Sequence, residues 1–169
     1  MRTRTRIQSV MLFMMALVLS LSTLLIPAPK AHAAELGDVL YQAHVESLGW
    51  QPYVWNGEVA GTEGRSLRLE ALKVRVTGLP DVHVKYRAHV EGTGWQNWVQ
   101  DGQVAGTVGN SQRLEALEIK LENAPPGYHI EYRAHIENLG WQGWVRDGDI
   151  AGTTGNSLRL EAIQIRLVR

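Results

Sequence analysis

The chain has 169 residues, 44% of them hydrophobic and 20% charged, with 17 basic and 17 acidic side chains and no cysteine. Without cysteine there is no disulfide scaffold, so any fold must hold by burial. A balanced charge lacks the basic excess that draws a protein to nucleic acid or to an anionic membrane.

The first element is a leader. Arg2, Arg4 and Arg6 precede an apolar run from Val10 to Ile26, and Ala31-His32-Ala33 stands before Ala34. A basic start, an apolar run and an A-x-A site read as a secretory signal over residues 1–33, cleaved after Ala33. The alternative is an uncleaved anchor, but the run is shorter than the ~20 residues of a comfortable span. Cleavage removes Arg2, Arg4, Arg6 and Lys30 and no acid, which leaves 13 basic against 17 acidic groups, a net charge of −4. The expectation is a secreted protein, extracellular or held at a cell surface, with no nucleic-acid partner and no membrane contact after cleavage.

Residues 34–169 then read as one domain built from three copies of one motif, at about 38–79, 80–124 and 125–169. Tyr41–Val76, Tyr86–Leu121 and Tyr132–Leu167 align without a gap. A fixed period of this length marks units that need their neighbours to bury an apolar face. Each copy opens with strict alternation, as in Tyr86, Ala88 and Val90 against Arg87, His89 and Glu91, which predicts a half-buried strand. Gly49, Gly94 and Gly140 supply turns into a second strand that starts at Trp50, Trp95 and Trp141. That strand ends at Asn56-Gly57, Asp101-Gly102 and Asp147-Gly148, dipeptides suited to a type I′ hairpin turn. A short third strand (Glu58 to Ala60 in the first copy) and a Gly-Thr-x-Gly turn lead to a long fourth strand from Arg68, Arg113 or Arg159 onward. Its alternation places Arg113 and Glu115 on the face of Leu117, Ile119 and Leu121. Three explanations are open: an inward, mutually bonded Arg/Glu pair, a β-bulge near Ala116 that flips the register, or an exposed functional pair. Thr77-Gly-Leu-Pro80 and Asn123-Ala-Pro-Pro-Gly127 read as reversals between copies.

Four strands per copy with no helical period predict an all-β, pseudo-threefold closed domain of three four-stranded repeats. A β-prism-like arrangement of three sheets is favoured, with a β-trefoil as the alternative.

Alternation along the second strand separates the aromatic residues. Trp50, Trp95 and Trp141 share a face with Val54, Val99 and Val145 and read as core. The polar face receives Gln51, Tyr53 and Trp55 in the first copy, Gln96 and Trp98 in the second, and Gln142 and Trp144 in the third. A ring beside a planar amide suits a pyranose, which stacks its C–H face on the ring while the amide orients its hydroxyls. Packing against a neighbouring strand or sheet edge is the competing explanation. His44, His89 and His135 recur, but they lie on the Arg/Glu face without cysteine or clustered carboxylates, so no metal site and no cofactor is expected. His83 and His129 have no counterpart in the first copy and receive no role. The chain has no H-E-x-x-H, no G-x-S-x-G and no phosphate-binding glycine loop, and its acids recur in every copy instead of forming one asymmetric site. It reads as a protein that is not an enzyme.

Tyr-x-x-His, Gly-Trp, Trp-Val-x-Asp-Gly, Ala-Gly-Thr-x-Gly and Arg-Leu-Glu-Ala, at fixed spacing and three times over, resemble the clostridial hydrophobic repeats with a tryptophan, the ChW family. The first copy departs from the pattern with Tyr53 for the second tryptophan and Gln42 for the arginine of Arg87 and Arg133. The resemblance implies an exported protein of a Gram-positive bacterium, with adhesion, surface assembly or polysaccharide binding as the roles proposed for relatives. Together the residues and the resemblance lead to a secreted, lectin-like, multivalent module for cell-wall or environmental polysaccharide or a surface glycan. The alternative is a protein-interaction or surface-assembly module that meets surface proteins.

Overall fold

The computed structural model describes residues 37–169; the expected signal and its cleavage site in residues 1–33 lie outside them. The described residues form strands and turns only, with the same five strands in each copy. The first copy gives β1 (Asp38–Val45), β2 (Gly49–Trp50), β3 (Val54–Trp55), β4 (Ala60–Gly61) and β5 (Leu69–Thr77). The second gives β6 (His83–Val90), β7 (Gly94–Trp95), β8 (Val99–Gln100), β9 (Ala105–Gly106) and β10 (Leu114–Glu122). The third gives β11 (His129–Ile136), β12 (Gly140–Trp141), β13 (Val145–Arg146), β14 (Ala151–Gly152) and β15 (Leu160–Val168).

Each copy is built on one long antiparallel pair, β1 with β5, β6 with β10 and β11 with β15. The two short strands after the glycine turn fold back on the first strand, so β2 and β3 both pair with β1. Five strands appear per copy where four were expected, because the second strand is interrupted between Trp50 and Val54 and between the equivalent residues. Its middle is held from the side, with the Gln51 N–H donating to the Ala43 carbonyl at 3.0 Å.

The fourth strand of each copy does not complete a hairpin at home. After the turn at Asp101-Gly102, where both residues have positive φ, the chain crosses to the sheet of the preceding copy. There β9 pairs with β5 through Ala71↔Gly106 and Leu72↔Ala105. In the same way β14 pairs with β10, and β4 of the first copy returns to β15 of the third. Three five-stranded sheets result, each completed by its neighbour, and the exchange closes on itself. This is the pseudo-threefold, all-β arrangement expected. A trefoil needs a barrel at its centre, and here the sheets remain three.

The inward faces meet in one core. Val39, Tyr41, Ala43 and Val45 of β1, with Leu72 and Val74 of β5 and their equivalents, are fully buried in a single cluster that draws on all three copies. A buried Val, Leu or Ile contributes about 1.5–3 kcal/mol, which is how a chain without disulfides keeps its form.

The puzzle of the long strand resolves as the bulge; the Arg/Glu pair is bonded, but it lies on the outer face and not inward. The register shifts between His44 and Val45, whose partners are Ala71 and Leu69, so Glu70 is the extra residue. The bulge lets Leu69 and Leu72 both face the core while Glu70 turns the other way. The second and third copies shift at the same place, at Glu115 and Glu161.

Three tyrosines stitch the copies together. The Tyr41 hydroxyl donates to the Glu58 carbonyl and accepts from the Ile165 N–H at 3.1 Å, joining copies one and three. Tyr132 donates to Asp149 and accepts from the Ile119 N–H at 3.0 Å, joining three to two. Tyr86 donates to Gln103 and is bonded to the Val74 backbone, joining two to one. Burial pushes the Tyr86 phenol up to about 12, against backbone bonds that lower it, and raises Tyr41 and Tyr132 further.

Candidate functional site: an aromatic and cationic face on each sheet

The outward face of each sheet is assembled from the residues that alternate with the core. On β6 these are Arg87 and His89, between the inward Tyr86, Ala88 and Val90. Gly94, at φ +79°, turns the chain so that Trp95 lies directly opposite His89. The indole meets the imidazole edge-on, with centroids 5.4 Å apart; the pairs His44/Trp50 and His135/Trp141 repeat this at 5.3 and 5.4 Å.

Under each histidine sits the bulged glutamate. Glu115 Oε2 lies 3.1 Å from His89 Nδ1, near enough for attraction but out of line for a hydrogen bond. Its other oxygen accepts two bonds from Arg113, at 3.0 Å from Nε and 2.8 Å from Nη2, and Arg113 reaches Glu91 with its remaining Nη. The carboxylate is only 6% exposed, so these bonds offset the cost of burying it. Arg68 with Glu46 and Glu70, and Arg159 with Glu137 and Glu161, repeat the arrangement. Each recurrent acid is therefore engaged by an arginine.

The first tryptophans are not core residues, as alternation suggested. Trp50, Trp95 and Trp141 are half-buried on the outer face. The interruption after Trp95 cancels the period of two, and Trp95 and Trp98 end on the same side. A guanidinium fills the gap between them. Arg87 stacks 4.8 Å from the centroids of both Trp95 and Trp98, and Lys120 lies 4.7 Å from Trp98. In the third copy Arg133 stands 4.9 Å from both Trp141 and Trp144, with Arg166 at 4.0 Å from Trp144. In the first copy Lys73 lies 4.4 Å from Trp50 and Arg75 5.9 Å from Tyr53. Cation–π attraction of this kind holds the rings upright on the sheet.

The sequence-selected residues fall into two groups. Tyr53 is 37% exposed, while Trp55, Trp98 and Trp144 are half-buried. The Trp55 N–H donates to Glu58 Oε2 at 3.0 Å. The glutamines are occupied elsewhere. Gln96 Oε1 accepts from the Gly106 N–H at 2.6 Å and its Nε2 donates to the Gly106 carbonyl at 3.3 Å. Gln51 clamps Gly61 and Gln142 clamps Gly152 identically. These amides hold the exchanged strand, which leaves each of them one N–H and one lone pair for any ligand. Gln96 borders an open depression of about 440 Å³ with Trp95, Asn97, Val99 and Val104, and Trp98 is not part of its wall. Val104 is 41% exposed, and its counterparts Val59 and Ile150 are exposed as well.

What sequence reasoning missed was the cations. Arg87 and Lys120 were legible as outward residues from alternation alone; their stacking on the rings depends on the interrupted strand. His83 and His129, given no role, bond through Nδ1 to Asp101 and Asp147 at 2.6 Å, where the first copy uses Asp38 and Asn56 instead. Among the described residues no group of three His, Cys, Asp or Glu side chains is placed to hold a metal ion, and no helix is long and apolar enough to cross a membrane.

In comparison with known proteins, the model of the family described as Clostridial hydrophobic W matches residues 44–78, 89–123 and 135–169. No curated protein and no solved structure matches the chain.

Proposed function

The chain belongs to the Clostridial hydrophobic W family, and from that premise we propose that it is a secreted, non-enzymatic, multivalent module that binds cell-wall or environmental polysaccharide. The observation that carries this reading is the triplication of one outward face, with two aromatic rings per sheet braced by a cation and an exposed aliphatic residue nearby. Polysaccharides are themselves repeating, and three weak sites on one rigid body gain affinity through effective concentration. A rigid half-exposed ring loses little entropy when a sugar stacks on it. Because each recurrent glutamate of the bulge is bonded to an arginine, none stands ready as a general acid, which favours binding over hydrolysis.

The test is tryptophan fluorescence of the protein titrated with cell-wall and plant polysaccharides, alongside Trp98→Ala and Trp144→Ala. A saturable change that each substitution weakens, with melting close to wild type, is expected. No response to any glycan would overturn the reading.

A second reading is favoured by different residues. Leu139 is 62% exposed and Leu48 44%, both on the turn before the first tryptophan, where the second copy has Thr93. Exposed aliphatic side chains at equivalent turns suit a protein partner or surface assembly. That reading expects size to rise with concentration in sedimentation, and Leu48→Ser/Leu139→Ser to abolish the rise.

A further inference from the structure

The three faces are not electrically equivalent, and the difference lies in one cross-strand pair. Gln42 is opposite Lys73, Arg87 opposite Glu118, and Arg133 opposite Gln164. Each pair contributes the side chain that touches the first tryptophan. In the second copy Arg87 Nε donates to Glu118 Oε2 at 2.6 Å, so its charge is neutralised by a carboxylate that is itself largely buried. In the third copy the same nitrogen donates to Gln164 Oε1 at 2.7 Å, a neutral acceptor. In the first copy the cation has moved to the other strand, and Lys73 faces the neutral Gln42. Among the described residues no carboxylate stands within ion-pair distance of Lys73 or Arg133. The cations beside the second ring follow a different order: Arg75 and Lys120 have no carboxylate within ion-pair distance among the described residues, whereas Arg166 is bonded to Glu131.

We propose that the first and third faces bind an acidic sugar, with Lys73 and Arg133 receiving its anionic group beside the first ring, while on the second face the equivalent position, Arg87, is already neutralised by Glu118. The proposal rests on the polysaccharide reading above and specifies its ligand as a glycan bearing carboxylate or phosphate. A stacked, half-buried guanidinium with a neutral hydrogen-bond partner keeps free N–H donors and an uncompensated charge. An anion placed there gains a charge-assisted bond. The chain carries 17 basic and 17 acidic side chains, so these cations are local features and not part of a general basic surface.

The experiment compares three polymers by tryptophan fluorescence and calorimetry of the full chain: polygalacturonate, its fully methyl-esterified form, and a phosphorylated mannan. Wild type is expected to bind at least one acidic polymer about tenfold more tightly than the ester, and the advantage should shrink as salt screens the charge. Gln164→Glu and Lys73→Gln should each weaken acidic binding roughly two- to fivefold, and Glu118→Gln should strengthen it by a similar factor. Glu118→Gln provides a gain of function that loss of folding cannot imitate. Carboxylate and phosphate sources separate by which acidic polymer binds. If ester and acid bind equally and the variants change nothing, the acidic-sugar proposal fails while the polysaccharide reading stands. If no polymer binds, both fail.

Discussion

Tyr86 spans two copies with one oxygen, giving a proton to the Gln103 carbonyl and receiving one from the Val74 backbone. Removing it in Tyr86→Phe takes the partner from both backbone groups, that of Val74 in the interior, a cost of about 1–3 kcal/mol. The phenol also makes stability depend on pH. In the unfolded chain it ionises near 10, and in the fold burial holds it protonated to about 12. Between those values the unfolded state binds fewer protons than the native one, so stability falls as pH rises. The contribution is complete below pH 10 and is lost on the way to about 12. Tyr41 and Tyr132 are shifted in the same direction and steepen the fall. Urea unfolding from pH 8 to 12 should show this decline, with a shallower slope in Tyr86→Phe; an identical slope in the variant would remove the phenol from the linkage. Alternation in the sequence already placed Tyr41, Tyr86 and Tyr132 inward. Their partners were illegible, because Ile165 is 124 residues from Tyr41 and no local pattern announces an acceptor in another copy.

The exchanged strand is only two residues long and sits under a tight geometric constraint. Gly106 holds φ at +101°, and a Cβ there would lie 2.3 Å from the Glu70 carbonyl oxygen of the adjoining copy. Gly106→Ala should therefore cost at least about 2 kcal/mol, combining backbone strain with displacement of the strand. Gly109→Ala is the control: its φ is +79° but its side-chain position is open, so only the conformational term of about 1 kcal/mol remains. Equal losses in the two variants, measured by thermal or urea unfolding, would mean that the strand does not need to sit so close. Gln96→Ala attacks the same contact from the other side by deleting both bonds of the clamp, each worth about 1 kcal/mol. At this scale the sequence was half legible. Asp101-Gly102 announced a turn and Gln103 to Ala105 a short strand, where the structure has Ala105–Gly106, yet proximity in sequence suggested pairing within the copy. Instead β8 pairs with β6 alone, and β9 adds to β5 of the adjacent copy. For the candidate site, the outward position of Trp98 was readable, whereas Trp95 was assigned to the core because alternation was extended across an interruption that the residue pattern does not mark.

The described residues form a ring in topology, although the chain that makes it is open. Two of its three junctions are covalent, over residues 78–82 and 123–128, and the third is noncovalent, made by β4 lying on β15, by the Gly57 and Thr62 N–H groups donating to the Ile165 and Glu161 carbonyls, by Gln164 Nε2 donating to the Gly57 carbonyl, and by the Ile165 N–H donating to the Tyr41 hydroxyl. Residues 37 and 169 therefore occupy the place of a missing linker. A circular permutant that joins Arg169 to Gly37 through about four residues and opens between Leu79 and Pro80 keeps every strand pair and should melt close to the parent, since each doubling of a loop changes closure by only about 0.6 kcal/mol. Removing the third copy has a different consequence. A chain ending at Glu122 loses β14 from β10 and leaves β4 with no strand to complete, two bare edges that invite pairing between molecules. In an open solenoid the loss of one unit subtracts one interface and the remainder stays folded. In a ring it breaks two of three junctions, so the shortened chain should aggregate or unfold well below the parent's melting temperature. Size-exclusion chromatography and calorimetry of the permutant and the two-copy chain separate these cases. A monomeric two-copy chain as stable as the parent would make the copies independent, and the three faces would then lose the fixed spacing on which multivalent binding depends.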